Sequence, residues 1–171
     1  MADSVPSGET AVALRAPGWE NPARREQSDM SDPVRVLIVA NRTAATPTLI
    51  DRVRERAERE PCEFTLLVPA LPDVLDPQDE ARKTLELSLP LLEDAARGPV
   101  NGVVGPSDAF RAVAQALALG DFDEVIISTL PQRVSAWLKR DLPTRVQRLG
   151  VPVTVVRAPE RPHAAVWSGP P

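Results

Sequence analysis

The sequence holds one cysteine, one histidine and no tyrosine, and aromatic residues make up only 4% of its 171 residues. A single cysteine excludes an internal disulfide and is typical of proteins in a reducing compartment. Cys62 and His163 are also too few to form a metal site of the usual Cys/His kind. Because aromatic residues are scarce, the core must be built from Val, Leu, Ile and Ala.

Long apolar runs are also missing, both within the chain and near its N-terminus. This predicts neither a membrane-spanning helix nor a secretory signal. The formal net charge is -4, and an acidic balance disfavours a general nucleic-acid binder. We therefore expect a cytoplasmic protein of one domain, with no nucleic-acid or membrane partner.

Motifs for common chemistries are absent as well. The sequence contains neither a P-loop motif nor a dinucleotide-binding glycine motif. The lone histidine, His163, lies in a proline-rich tail, so no catalytic Ser-His-Asp or Cys-His arrangement can be assembled from it. We predict that the protein is not an enzyme and holds no metal, and we interpret Cys62 as a small core residue.

The two ends of the chain show no sustained hydrophobic period and are interrupted by proline and glycine. Residues 1–32 are predicted to be a disordered N-terminal extension. Docking through Trp19 and translation from Met30 are the alternatives for this segment. Residues 158–171 are predicted to be a proline-rich tail, which leaves one domain over residues 33–157.

This middle part alternates β-branched runs with amphipathic segments, the pattern of a parallel α/β sheet. Five parallel strands with helices on both faces make an open, three-layer α/β sandwich. Ligands of such sheets bind at the carboxyl ends of the strands. Strands are predicted at 34–40, 62–69, 100–104, 125–128 and 151–157, and helices at 47–60, 79–97, 108–119, 134–140 and 142–149.

Several local features carry more detailed expectations. Pro90 lies inside the second helix and is expected to kink or break it. Ser107 and Asp141 are the predicted N-caps of later helices. The charged residues of the first helix are predicted to face water; they are Arg52, Glu55, Arg56 and Arg59.

Three segments carry a family resemblance. They are VRVLIVAN at the first strand, the turn GPSD at 105–108 before a helix and the strand DEVIIS, and the last helix leading into GVPVTVV. Over residues 34–156 this order of elements resembles the universal stress protein domain. The resemblance implies an adenine nucleotide alpha hydrolase-like sheet with strand order 3-2-1-4-5, and a homodimer formed through the last strand.

The nucleotide-binding members of that family carry an aspartate after strand one, where this chain has Asn41. After strand four they carry glycines, spaced GxxG and followed by Gly-Ser or Gly-Thr, which let backbone amides approach phosphates. Here residues 128–133 contain no glycine, and Arg140-Asp141 stands in the Gly-Ser position. The resemblance leaves no certain cofactor, and names ATP or another adenine nucleotide as a candidate.

Side chains could hold an anion where those glycines are missing. Six basic residues lie between 133 and 157, and arginine binds phosphate through its forked donors. The alternative is that these residues form a solvated helix face or pair with the acidic second helix. The predicted ligand-binding residues are Asn41, Arg42, Thr43, Gly105, Ser128, Thr129, Arg133, Arg140 and Asp141.

These observations predict a regulatory binding protein of the universal stress protein type. One alternative is a protein-interaction module that dimerises without a ligand. Another is a flavodoxin-like binder of phosphate or flavin, because the hydroxyl-rich loop at 41–46 resembles the flavodoxin phosphate loop. No aromatic residues suited to stacking on a flavin are evident in the sequence.

Overall fold

The computed structural model of the chain describes residues 32–131 and 141–159. These residues form a five-stranded sheet in the order β3-β2-β1-β4-β5, and every neighbouring pair of strands is parallel. The predicted architecture and strand order are confirmed, and this order differs from that of flavodoxins. The strands are β1 (Val34–Val39), β2 (Cys62–Pro69), β3 (Val100–Gly105), β4 (Glu124–Thr129) and β5 (Val153–Arg157).

Four helices within the described residues cover the two faces of the sheet. They are α1 (Pro47–Arg59), α2 (Pro77–Ala96), α3 (Ala109–Leu119) and α4 (Leu142–Gln147). Helices α1 and α2 bury their apolar sides in one core, and α3 and α4 bury theirs in a second core. No helix in this part of the chain is long and apolar enough to cross a membrane.

The central strand β1 explains why there are two cores. Side chains of a strand point alternately to opposite faces, so Val36 and Ile38 join the first core while Leu37 and Val39 join the second. All four are fully buried. A strand buried on both faces is typical of a parallel sheet covered by helices.

The helices differ from the sequence predictions at Pro90 and at two N-caps. Helix α2 continues through Pro90 without a break, because buried residues such as Leu85 and Leu92 anchor it to the sheet on both sides of the proline. The N-cap of α3 is Asp108 and not Ser107, since an Asp108 carboxylate oxygen accepts a hydrogen bond from the Arg111 amide at 2.8 Å. Asp141 occupies the N-cap position of α4 with φ 55°, but its side chain makes no capping hydrogen bond.

The prediction that Arg56 faces water is wrong. Arg56 is 8% exposed, and its Nε donates to the Glu124 carboxylate at 2.8 Å while its Nη2 pairs with Glu60 at 2.8 Å. Helical geometry accounts for this position, because Arg56 follows Leu49 by seven residues and lies on the same side of α1. A charged residue on that side is tolerated because Glu124, at the start of β4, meets it.

Cys62 lies half-buried at the edge of the first core. Its thiol lies 3.3 Å from the Glu60 carbonyl oxygen. Burial is the main cause that raises the pKa of the Cys62 thiol, with smaller and opposing effects from Arg56 and the nearby glutamates. A raised pKa means less of the reactive thiolate at neutral pH, which agrees with a structural role for this cysteine.

Candidate functional site

A crevice of about 260 Å³ opens at the carboxyl edge of the sheet. It lies where the strand order reverses, because the chain leaves β1 toward β2 on one side and leaves β4 toward β5 on the other. This is the edge at which the sequence predicts a site. The described lining comprises residues 41–43, 69–73, 107–110 and 128–130, together with Leu142 and Arg145.

Asn41 joins the ends of β1 and β2 beneath this crevice. Its buried side-chain amide donates a hydrogen bond to the Pro69 carbonyl oxygen. An aspartate at this position would have no N–H to donate and would place a carboxylate against that oxygen. The asparagine is thus suited to this local geometry, and its first role is to hold the two strand ends together.

The loop from Asn41 to Thr46 is fixed by its own hydrogen bonds. The Ala44 amide donates to the Asn41 carbonyl at 3.0 Å, and the Thr46 amide donates to the Thr43 carbonyl at 3.2 Å. The Thr43 hydroxyl donates to the Ser128 carbonyl at 2.9 Å and so links this loop to the end of β4. A loop held in this way keeps the crevice wall in place before any ligand arrives.

Ser128 and Thr129 contribute two buried hydroxyls to the crevice wall. They are 1% and 2% exposed, and neither hydroxyl oxygen has a hydrogen-bond partner within the described residues. Because side chains alternate along β4, one hydroxyl lies on each face of the strand end. Buried polar groups in proteins are nearly always hydrogen-bonded, so each hydroxyl needs a further partner, which a water or a bound molecule at the strand end can supply.

The charged residues of the described lining are balanced, with Arg42 and Arg145 against Asp73 and Asp108. The guanidinium carbon of Arg145 lies 4.0 Å from the centre of the Phe110 ring, within cation–π distance. This contact ties α4 to α3 at the edge of the crevice. In the lining that the structure describes, arginine therefore supplies the positive charge available to a bound anion.

The structure brings five of the nine predicted ligand-binding residues to the crevice: Asn41, Arg42, Thr43, Ser128 and Thr129. It does not place Gly105 or Asp141 in the lining. Gly105 is buried, and a Cβ added to it would lie 2.8 Å from the Cβ of Ala112, so this glycine allows α3 to pack closely on β3. Arg133, Arg140 and the helix predicted at 134–140 lie outside the described residues.

Four charged or aromatic residues of the described lining are absent from the predicted ligand-binding set: Asp73, Asp108, Phe110 and Arg145. Two of them carried a signal. Asp108 belongs to a segment predicted to follow a strand end, and Arg145 belongs to the basic cluster after residue 133. Phe110 packs against the second core from the apolar side of α3, a position that does not by itself indicate that it also borders the crevice.

Within the described ranges, no group of three or more His, Cys, Asp or Glu side chains is arranged to hold a metal ion. The crevice side chains that can make polar contacts are hydroxyls, one amide, two carboxylates and two guanidinium groups. Hydroxyl and guanidinium groups donate hydrogen bonds to oxyanions. The lining therefore offers donors that can hold an oxyanion.

The fold is similar to that of solved universal stress proteins. One is a universal stress protein crystallised in complex with cAMP, with a TM-score of 0.51, 12% identity and coverage of 74% of this chain and 98% of that chain. Another is the universal stress protein from Archaeoglobus fulgidus, with a TM-score of 0.51, 13% identity and coverage of 72% of this chain and 93% of that chain. No family model and no curated protein matches the sequence.

Proposed function

We propose that this chain, which has the fold of the universal stress proteins, is a non-catalytic protein that binds a nucleotide-like anion at the carboxyl edge of its sheet. The observation that carries the proposal is the pair of buried hydroxyls of Ser128 and Thr129, which lack hydrogen-bond partners within the described residues. One protein of this fold is described in complex with cAMP. Adenine nucleotides are therefore the first ligands to test.

Side chains supply the donors in this proposal. Arg42 and Arg145 offer forked N–H groups to a phosphate, and the hydroxyls of Ser128 and Thr129 donate to its oxygens or to a ribose. No glycine occurs from Ser128 to Arg133, where backbone amides could otherwise approach a phosphate closely. The ligand is thus held mainly by side chains.

The non-catalytic part of the proposal is supported by the chemistry of the lining. A nucleophilic hydroxyl needs a neighbouring base to activate it. The Thr43 hydroxyl donates to a backbone carbonyl, and those of Ser128 and Thr129 make no hydrogen bond to a described carboxylate. We therefore propose binding without turnover of the ligand.

Calorimetry with cAMP, AMP, ADP and ATP tests the function, together with a thermal-shift measurement on the full chain. We expect saturable binding of at least one nucleotide and a rise in melting temperature with ligand concentration. If none of the four binds, the nucleotide proposal fails. Release of a product from any of them would overturn the non-catalytic part. Dimerisation through β5 stays a prediction, which sedimentation at micromolar concentration would check.

Replacing Thr129 by valine should separate the function of its hydroxyl from the stability of the protein. The change keeps the shape of the side chain, and no described partner is lost, so the free energy of unfolding should stay equal or rise. A ligand that uses the hydroxyl should lose affinity by about 5–10-fold, the equivalent of one hydrogen bond. Urea unfolding and calorimetry on the same preparation measure the two effects.

Thr43→Val is the matched control, because it removes an equally buried hydroxyl from the same crevice. This hydroxyl donates to the Ser128 carbonyl, so its loss should lower the free energy of unfolding by about 1–2 kcal/mol. If Thr129→Val is destabilised as much as Thr43→Val, the Thr129 hydroxyl has a structural partner. In that event the observation that carries the proposal fails.

A further inference from the structure

We infer that Asp108 makes the crevice selective for ligands of low negative charge, so that a nucleotide with one phosphate binds in preference to a polyphosphate. This selectivity rests on the proposed function of the same crevice. It assigns to Asp108 a role that the sequence did not predict, since the predicted ligand-binding residues do not include it.

The first reason for this selectivity is the position of Asp108 at the start of α3. It is the N-cap of α3, and its side chain accepts a hydrogen bond from the Arg111 amide at 2.8 Å. The N-terminus of a helix attracts phosphate because its N–H groups are free and its dipole is positive there. At this helix the Asp108 carboxylate takes up that position, so α3 presents a negative charge to the crevice.

The second step concerns the other charges of the described lining. Asp73, in the loop after β2, is exposed like Asp108. The two basic residues of the described lining, Arg42 and Arg145, balance the charge of these two carboxylates. The two arginines can match a single phosphate through their forked donors. Each additional phosphate adds negative charge that no further described cation balances, and it is repelled by the two carboxylates.

The third step concerns size. The volume of about 260 Å³ lies below the range of roughly 300–1,000 Å³ typical of sites for drug-sized ligands. A compact ligand with one phosphate suits this space. The further phosphates of a polyphosphate exceed this space and meet a lining whose exposed residues include Asp73 and Asp108.

The substitution Asp108→Asn tests the inference, because asparagine caps a helix about as well as aspartate but carries no charge. Calorimetry should give the Kd values of AMP and ATP for the original protein and the variant. The original protein should bind AMP about tenfold more tightly than ATP. In the variant, ATP should gain about 3–10-fold in affinity and AMP no more than about twofold, and this difference should shrink in high salt.

Asp76→Asn is the matched control. Asp76 caps α2 through a hydrogen bond from the Asp79 amide at 3.0 Å, and it is not among the residues that line the crevice. The control makes the same change in net charge and should leave the ratio of the two Kd values unaltered. An equal response to both substitutions would point to a general charge effect and overturn the role of Asp108.

The possible failures can be told apart. If neither AMP nor ATP binds the original protein or the Asp108→Asn variant, the selectivity fails, and the proposed function fails with it only if cAMP and ADP do not bind either. If AMP binds but the ratio is the same in both proteins, only the role of Asp108 is wrong. Tighter binding of ATP than of AMP by the original protein also overturns the inference.

Discussion

Replacing Glu124 by alanine is expected to lower the free energy of unfolding by about 3–5 kcal/mol. Glu124 accepts a hydrogen bond from the Arg56 Nε at 2.8 Å, and the two side chains are only 16% and 9% exposed. The Arg56 Nη1 already lacks a partner within the described residues. Without Glu124 a buried guanidinium would keep only Glu60, and the energetic cost of burying its charge would no longer be offset.

Glu60→Ala is the matched control, because Glu60 pairs with the same arginine at 2.8 Å but is 51% exposed. An exposed pair contributes at most about 1 kcal/mol, so this variant should unfold close to the original protein in urea. The double substitution Arg56→Met with Glu124→Leu should recover most of the loss, since it removes both charges together. If the Glu124→Ala and Glu60→Ala variants lose equal free energy of unfolding, burial does not make the Arg56–Glu124 pair stronger than the Arg56–Glu60 pair.

Arg56 also shows where prediction from the sequence stops. The helical period places it in line with Leu49 and Val53, on the buried side of α1. Its charge favoured an exposed position, and the partner that permits burial lies 68 residues further along the chain. Local sequence contains the period of the helix, but the pairing of two distant charges depends on how α1 lies over β4.

The fold itself could be predicted because its signals are local. The β-branched runs that became β1 and β4 are apolar on both faces, which is typical of central parallel strands, and the helices between them show their own period. The order of the strands was expected from the family resemblance rather than from these patterns. The pairing of β1 with both β2 and β4 confirms it.

The site could be predicted only in part, and its hydrogen bonds show why. The register of β1 on β2 pairs Val39 with Leu67, and continuing it by two residues brings Asn41 opposite Pro69. The hydrogen bond between these residues follows from that register, which the sequence does not state. Asp108 and Arg145 reach the crevice through the packing of α3 and α4, so the sequence signals of their segments did not single out these two residues.

Replacing Gly105 by alanine is expected to cost about 2–3 kcal/mol of the free energy of unfolding, in the upper part of the range for overpacking a core. The new Cβ would lie 2.8 Å from the Cβ of Ala112 and 3.1 Å from a Leu67 methyl group. A Cβ is fixed to the helix backbone, so α3 as a whole must move away from β3 to make room. That movement would displace Asp108 and Phe110, which line the crevice, and nucleotide affinity should fall as well.

Gly98→Ala separates this effect from the general consequences of replacing a glycine, since a Cβ at Gly98 meets nothing within 4 Å. Urea unfolding should leave the Gly98 variant close to the original protein, and calorimetry should give it an unchanged Kd. If both variants unfold alike, the close approach of α3 to β3 does not depend on Gly105. Gly105→Ala could instead lose stability and keep its affinity for the nucleotide. That result would mean that α3 adjusts without moving its first turn, so the crevice does not depend on the close packing of α3 on β3.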